Sequence, residues 1–174
     1  MSMTRISLNE LNSLDRALFV SHLGWIYENS SWVADMASKL RPFKTIADLH
    51  SAMVGIVQNA ALEQRLALLQ AHPDLAGRLA QTGDLTPASR AEQSAAGLTQ
   101  LSPDQVNEIQ TRNAAYFKKF GFPFIVCARL NNLETILSGL SRRVENDRET
   151  EIHTAIGEIS KIANLRLRDA IKND

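Results

Sequence analysis

The chain has 174 residues, of which 44% are hydrophobic and 22% are charged, and these fractions are typical of a globular protein with one core. Its 19 basic and 19 acidic side chains cancel, so the net charge gives no field that would attract nucleic acid or an anionic membrane. Cys127 is the only cysteine, which excludes an intramolecular disulfide and a metal site built from several cysteines. No apolar run approaches the ~20 residues of a membrane span, and no secretory signal is recognisable, so we expect a cytoplasmic protein.

Capping signals and apolar periodicity predict helices through the first part of the chain. Ser7 and Glu10 have the spacing of a capping box. An apolar series from Leu11 to Phe19 follows in a helical period, and Gly24 is the expected end of this helix. Further helices are expected over residues 32–37, over 46–57 after Thr45, and over 62–71.

The helix over residues 62–71 leads into His72-Pro73-Asp74. Because proline disfavours helical geometry for the residue before it, we expect His72 at the helix exit. Asp74 can then cap the next short helix. A titratable imidazole is thus held on a stiff corner, which suits a proton donor, although an ordinary surface histidine explains the residues equally well. The corner offers only two neighbouring metal ligands, so we predict no metal.

Proline-based start signals open the predicted helices of the second half. Thr86-Pro87 and Ser102-Pro103 each pair a capping side chain with a proline at the first helical position. They predict helices over residues 88–96 and from 103 to Gly121. Asn132 is expected to start a helix through Val144, and the last helix is expected over roughly 147–172.

Residues 122–127 are the one ambiguous stretch, because they are apolar and partly β-branched but cannot make a sheet alone. We predict a buried turn that leads into a short helix. No other segment alternates over the length of a strand. The expected fold is therefore all-α, with about nine helices in a single compact bundle that forms one domain over residues 1–174.

A second candidate site lies on the predicted helix 88–96. Ser89, Glu92 and Gln93 share one helical face and offer a hydroxyl, a carboxylate and a carboxamide. These groups suit a polar heterocycle or the orientation of an imidazole. A solvated helix face is the simpler interpretation of the same residues.

The segment from Gly121 to Ile125 is a third candidate. Pro123 interrupts any continuing hydrogen-bond pattern, and free N–H groups beyond it would make a cradle for an anion or a carbonyl. A hydrophobic plug is an equally good interpretation.

The other reactive side chains have simpler interpretations. His22, His50 and His153 are expected to be ordinary surface histidines, and Cys127 is expected to be a small core residue. No P-loop, dinucleotide-binding fingerprint or serine elbow is present.

Taken together, these motifs resemble the 2-oxo-4-hydroxy-4-carboxy-5-ureidoimidazoline (OHCU) decarboxylases of the ureide pathway. Each motif alone is weak, but their order and spacing from about residue 8 to 168 are specific. The matching stretches are Leu23 to Ala34, Arg41-Pro42-Phe43, Ala71 to Leu75, Ser89 to Leu98, Asn113, Tyr116, Lys119, and Phe120 to Ala128.

The resemblance implies an all-helical, cofactor-free and commonly dimeric enzyme that converts OHCU into S-allantoin and carbon dioxide. It implies that His72 is the catalytic proton donor and that Glu92 orients it or contacts the substrate. For the last helix it implies a substrate-binding arginine, with Arg166 favoured over Arg168. The substrate-binding positions implied in all are Pro73, Ser89, Arg90, Ala91, Gln93, Gly121, Phe122, Pro123, Phe124, Ile125 and Arg166.

The same resemblance predicts the partners. We expect OHCU as the small-molecule partner, a homodimer, and neither nucleic acid nor membrane. Residues 171–174 do not form the peroxisomal tail of many eukaryotic members, which favours the cytoplasm.

The substrate itself suggests why no cofactor is expected. It carries a carboxylate and a hydroxyl on one carbon beside a ring imine, and the imine can accept the electron pair as carbon dioxide leaves. The protein then has to orient the breaking bond, exclude water and deliver one proton to one face. A histidine, with an unperturbed pKa of ~6.5, suits that task.

Two other functions remain open. One is a lyase or hydrolase that acts on a related ureide or hydantoin with the same histidine. The other is a non-catalytic helical adaptor that docks a partner through Trp25, Tyr27 and Trp32. Burial of those aromatic side chains would disfavour the adaptor.

Overall fold

Eight α-helices make up most of the computed structural model, which describes residues 5–75, 91, 92, 94 and 97–172. The helical class is therefore confirmed, and the number is close to the nine expected. None of the helices in these ranges is both long and apolar enough to span a membrane. The helices are α1 (Leu8–Ser13), α2 (Arg16–Leu23), α3 (Trp32–Ser38), α4 (Ile46–Gln58), α5 (Leu62–Ala71), α6 (Pro103–Phe120), α7 (Leu133–Arg143) and α8 (Arg148–Ala170). Two 3₁₀ helices lie at Leu98–Gln100 and Ala128–Leu130.

Two predicted helices cannot be compared with the structure in full. The helix expected over 88–96, with its start at Thr86-Pro87, and the short helix expected after Asp74 lie largely outside the described residues.

A two-residue parallel pair of strands is the exception to the helical class. β1 (Ile6–Ser7) pairs with β2 (Ile171–Lys172). The Arg5 guanidinium donates to the carbonyl oxygens of Arg168 and Ile171, both at 2.9 Å. The pair was not predictable, because two residues are too few for an alternation of apolar and polar side chains. The last helix accordingly ends at Ala170 instead of residue 172.

The single helix predicted up to Gly24 is two helices, so that prediction is wrong. α1 ends at Ser13, and Leu14 is extended, with ψ 151°. Asp15 then starts α2 by accepting a hydrogen bond of 2.8 Å from the Leu18 N–H. A well-placed aspartate N-cap thus ends a helix that the apolar period alone would continue.

The other capping signals position helix starts as predicted. Ser7, Thr45, Ser102 and Asn132 each accept from the backbone N–H three residues on and form complete capping boxes. α6 ends where expected, and Gly121 has the left-handed conformation (φ 80°) that a side chain would disfavour.

The chain divides into two compact units, one formed by Met1–Ala71 with Ser160–Asp174 and the other by His72–Ile159. A single domain over residues 1–174 stays a prediction. The core of the first unit includes Leu11, Phe19, Leu49 and Met53, and that of the second includes Ile109, Tyr116, Phe120, Ile136 and Leu140.

Residues 122–127, where a buried turn is predicted, form a mostly buried segment without regular secondary structure and contribute to an aromatic cluster in the second unit. Phe122 and Phe124 are at most 2% exposed. Their ring centres lie 6.0 and 5.3 Å from that of Tyr116, in the edge-on geometry favoured by aromatic pairs. The chain then enters the 3₁₀ helix at 128–130, as expected.

Both tyrosines of the chain, Tyr27 and Tyr116, are buried. Burial raises the pKa of each phenol above its usual value near 10, and a hydrogen bond from Tyr116 to the Glu151 carboxylate raises the pKa of that phenol further. An unfolded chain releases these protons near pH 10, whereas the folded chain retains them. Their contribution to the free energy of unfolding is therefore complete below pH ~10 and is lost as the pH rises beyond it.

We predict that tyrosinate absorbance shows no ionisation near pH ~10 in the folded protein, and that both phenols ionise together when the chain unfolds at higher pH. Circular dichroism of the same samples identifies the unfolding. A half-maximal tyrosinate signal near pH ~10 with the helical signal intact would contradict the burial of these side chains.

Candidate active site

The corner that carries His72 follows α5 directly. α5 ends at Ala71, as Pro73 predicts, and the Asn29 side chain donates to the Ala71 carbonyl oxygen at 3.0 Å. His72 is only 8% exposed. An imidazole at this depth is not a solvated surface group, which supports His72 as a functional candidate.

Glu92 is buried to the same degree, at 8% exposure, and belongs to the same unit as His72. A solvated helix face is therefore the wrong interpretation for this carboxylate, although Ala91 beside it is exposed. Because glutamate is seldom buried to this degree, Glu92 is a second functional candidate. Three of the predicted substrate-binding residues lie outside the described part of the chain, namely Ser89, Arg90 and Gln93.

Asn113, within α6, connects Asp74 to Phe124. It is 6% exposed, its Nδ2 donates to Asp74 Oδ2 at 3.0 Å, and its Oδ1 accepts from the Phe124 N–H at 3.2 Å. Asp74 is two residues beyond His72, and Phe124 lies in the segment 121–125. One side chain therefore bridges two predicted parts of the site.

Sequence reasoning assigned Asn113 no role, although a signal for one exists. Asn113 falls on the buried stripe of α6 that also carries Ile109, Tyr116 and Phe120. A polar side chain on an apolar stripe requires a buried partner, which indicates a specific hydrogen bond.

The backbone of the segment 121–125 forms hydrogen bonds with two polar side chains. Residues 122–125 are buried, whereas Gly121 is exposed. The expectation of free N–H groups beyond Pro123 is wrong for Phe124, whose N–H donates to Asn113, because a buried donor is costly without an acceptor. The Ile125 carbonyl oxygen accepts from Arg143 Nη1 at 2.7 Å.

Arg143 and Glu151, which are 4% and 0% exposed, form a buried ion pair beside this segment. Glu151 Oε1 accepts from Arg143 Nε at 2.8 Å and Nη2 at 2.5 Å, and from the Tyr116 hydroxyl. Its Oε2 accepts from Asn146 Nδ2 at 2.8 Å. The guanidinium carbon of Arg143 lies 4.5 Å from the centre of the Phe124 ring. These bonds offset the cost of burying both charges.

Arg166 in α8 is 2% exposed, whereas Arg168 is exposed. Arg166 Nη2 lies 3.1 Å from Glu28 Oε2. Its Nη1 donates to the carbonyl oxygens of Trp25 and Ile26 at 3.3 and 3.4 Å. Burial among polar partners favours Arg166 over Arg168 as the functional arginine, and its contact with a substrate stays a prediction.

The remaining reactive residues have ordinary surroundings, with one exception. His153 is exposed and His22 half-buried, and Cys127 is a core residue as predicted. His50 is not a solvated histidine, because its Nε2 lies 2.9 Å from the Ser160 carbonyl oxygen. Within the described ranges, no group of three or more His, Cys, Asp or Glu side chains could hold a metal ion, and a reaction without metal stays a prediction.

Comparisons with known proteins agree along nearly the whole chain. A family model described as OHCU decarboxylase matches residues 12–168. A 2-oxo-4-hydroxy-4-carboxy-5-ureidoimidazoline decarboxylase from Haloferax volcanii is 40% identical over 172 residues, which are 99% of this chain and 100% of that protein.

Two crystal structures are also similar to the structure of this chain. That of (S)-allantoin synthase has a TM-score of 0.78 and 32% identity, covering 96% of this chain and 54% of the other. That of OHCU decarboxylase in the presence of (S)-allantoin has a TM-score of 0.66 and 30% identity, covering 82% of this chain and 92% of the other. The helical fold and the similar proteins thus place this chain in one known class of helical proteins. The chain belongs to the OHCU decarboxylase family, as the motifs from residue 8 to 168 predict.

We predict that Glu151→Gln lowers the free energy of unfolding by about 3–5 kcal/mol, because it leaves the Arg143 charge buried without its counter-ion. Urea denaturation followed by circular dichroism measures the change. Glu149→Gln removes the same charge from an exposed site in the same turn of α8 and is expected to stay within about 0.5 kcal/mol of the parent protein. Equal effects of the two substitutions would contradict the structural role of the pair.

Proposed function

We infer that this chain is a cofactor-independent carboxy-lyase that decarboxylates OHCU to (S)-allantoin in urate degradation. The observation that carries this conclusion is the family match over residues 12–168, together with 40% identity to a full-length relative named as this decarboxylase. The burial of His72 and Glu92 supports it, since acid–base catalysis requires groups held in place and shielded from water.

The substrate supplies its own electron sink. Its C4 carries the hydroxyl and the carboxylate, and the neighbouring C5, which bears the ureido group, is the imine carbon of the ring. When the bond from C4 to the carboxylate breaks, its electron pair forms a C4–C5 double bond and the imine pair moves to the ring nitrogen, which is protonated. Proton addition at C5 and loss of the hydroxyl proton then give allantoin, with a net uptake of one proton. No bound electron sink is required.

We assign the proton delivery at C5 to His72. A single product configuration requires delivery to one face of the planar intermediate, and a histidine on a corner stiffened by Pro73 is restricted to one approach. Glu92 is the carboxylate that orients the imidazole or contacts the substrate. Acid–base help of this kind contributes about 10²–10⁴-fold, and orientation supplies much of the rest.

The segment 121–125 is proposed to meet the substrate through its backbone. The rings of Phe122 and Phe124 pack with Tyr116, and the Phe124 N–H is already bonded to Asn113. The Phe122 and Ile125 N–H groups bond to no other residue in the described part of the chain, and we assign them to the substrate's carbonyl oxygen or its developing negative charge.

The burial of Tyr27, which is 4% exposed, disfavours the adaptor hypothesis, and Trp25 and Trp32 are half-buried. Circular dichroism and carbon dioxide release with OHCU as substrate distinguish an OHCU decarboxylase from an enzyme that acts on another ureide or hydantoin. The homodimer, the cytoplasmic location and the lack of nucleic-acid and membrane partners stay predictions.

The direct test supplies OHCU generated in the cuvette from urate and follows circular dichroism and carbon dioxide release. We predict that the protein produces (S)-allantoin with release of carbon dioxide faster than the spontaneous reaction. His72→Asn is expected to keep the helical signal and lose at least about 10²-fold in turnover, because it removes the proton donor.

Each result that contradicts these expectations points to a different part of the proposal. Consumption of OHCU without release of carbon dioxide would indicate a hydrolase, and no acceleration by the parent protein would contradict the proposed function. Full activity in His72→Asn would remove only His72 from the mechanism.

For the arginine, we predict that Arg166→Lys lowers kcat/KM by about 10–100-fold, because a lysine cannot reproduce charged hydrogen bonds worth about 1.5–3 kcal/mol. Arg168→Lys makes the same change two residues away at an exposed site and is expected to leave kcat/KM unchanged. Melting curves of both variants show whether each is folded at the assay temperature. If only Arg168→Lys lowers kcat/KM, the substrate-binding arginine is Arg168 and not Arg166.

A further inference from the structure

We infer that Asn113 is a positioning residue for the decarboxylation, because its amide joins the corner that carries His72 to the segment 121–125 proposed to bind substrate. This inference rests on the proposed function. Asn113 is 6% exposed, with Nδ2 3.0 Å from Asp74 Oδ2 and Oδ1 3.2 Å from the Phe124 nitrogen. Both ends of a single rigid amide group are therefore used.

The two bonds fix the orientation of the amide. The Phe124 N–H can only donate and Asp74 Oδ2 accepts, so the amide oxygen faces Phe124 and the NH₂ group faces Asp74. Aspartate at position 113 would place a second carboxylate against Asp74. An apolar side chain of the same size would leave the buried Phe124 N–H without an acceptor.

At the Asp74 end, Asn113 acts on the proton donor. Asp74 is separated from His72 only by Pro73, whose ring fixes one backbone torsion angle. Holding the Asp74 carboxylate therefore restricts the corner on which the imidazole is mounted. The side chain does not need to touch the substrate to have this effect.

At the Phe124 end, Asn113 acts on the proposed substrate-binding backbone. The Phe124 ring is fixed in the aromatic cluster and under the Arg143 guanidinium, and the Ile125 carbonyl is fixed by Arg143. The Asn113 oxygen holds the Phe124 N–H between these two fixed groups. The separation of proton donor and substrate is thus set by one amide, and a displacement of 1 Å at a reacting centre can cost about 10²-fold in rate.

The test exchanges the amide of Asn113 with the carboxylate of Asp74. Asn113→Asp keeps the acceptor for Phe124 but opposes two carboxylates, and kcat/KM is expected to fall about 10²-fold, mainly in kcat. Asp74→Asn alone retains an oxygen that accepts from Asn113, and its kcat/KM is the reference for the exchanged pair. In the double variant Asn113→Asp with Asp74→Asn, the new aspartate accepts from both the Phe124 N–H and the new asparagine. The double variant is expected to recover most of the activity of Asp74→Asn.

All four proteins are assayed well below their melting temperatures, with circular dichroism confirming the fold, and hydrogen exchange at the Phe124 amide reports the bond at that end. Rescue of kcat by the exchanged pair, with Phe124 protected, supports the inference. Unchanged kcat in Asn113→Asp, or a double variant that is folded yet no more active than Asn113→Asp, overturns it. Failure of the unsubstituted protein to convert OHCU contradicts the proposed function itself and is visible without any variant.

Discussion

The mostly buried backbone of residues 122–127, between α6 and the 3₁₀ helix at 128–130, sets requirements on the second unit. Residues 122–127 run through the core, where each N–H and C=O group is costly unless it is paired. Asn113 pairs one of these groups and Arg143 pairs another. Arg143 in turn requires Glu151, since a guanidinium without a counter-ion is unfavourable at this depth. The same bonds place the segment next to the His72 corner through Asp74.

The helices were predictable where local chemistry decides them. Thr45, Ser102 and Asn132 cap their helices as their spacing predicts, because a capping box involves only four consecutive residues. The prediction of a single first helix was wrong because the apolar period runs on through Asp15. Periodicity alone does not show whether the apolar pattern or the Asp15 N-cap decides where the helix ends. The two-residue strand pair joins residues from opposite ends of the chain, which no local pattern indicates.

The candidate site was predictable in part. The resemblance selected His72 and Glu92, and the structure buries both. It did not give a role to Asn113, whose partner Asp74 lies 39 residues away in the chain, or to the Arg143–Glu151 pair. Such bonds depend on which helices meet, so a sequence can show that a polar residue lies on an apolar stripe but not which group it meets.

A crystal structure of this protein with (S)-allantoin bound measures most directly whether the buried imidazole delivers the proton. The expected result is a His72 ring nitrogen about 3–3.5 Å from the carbon that bears the ureido group, on the face that carries the hydrogen. The backbone of residues 121–125 is expected to contact the same ligand. An imidazole that points into solvent, or that lies more than a side chain's length from that carbon, would contradict His72 as the proton donor.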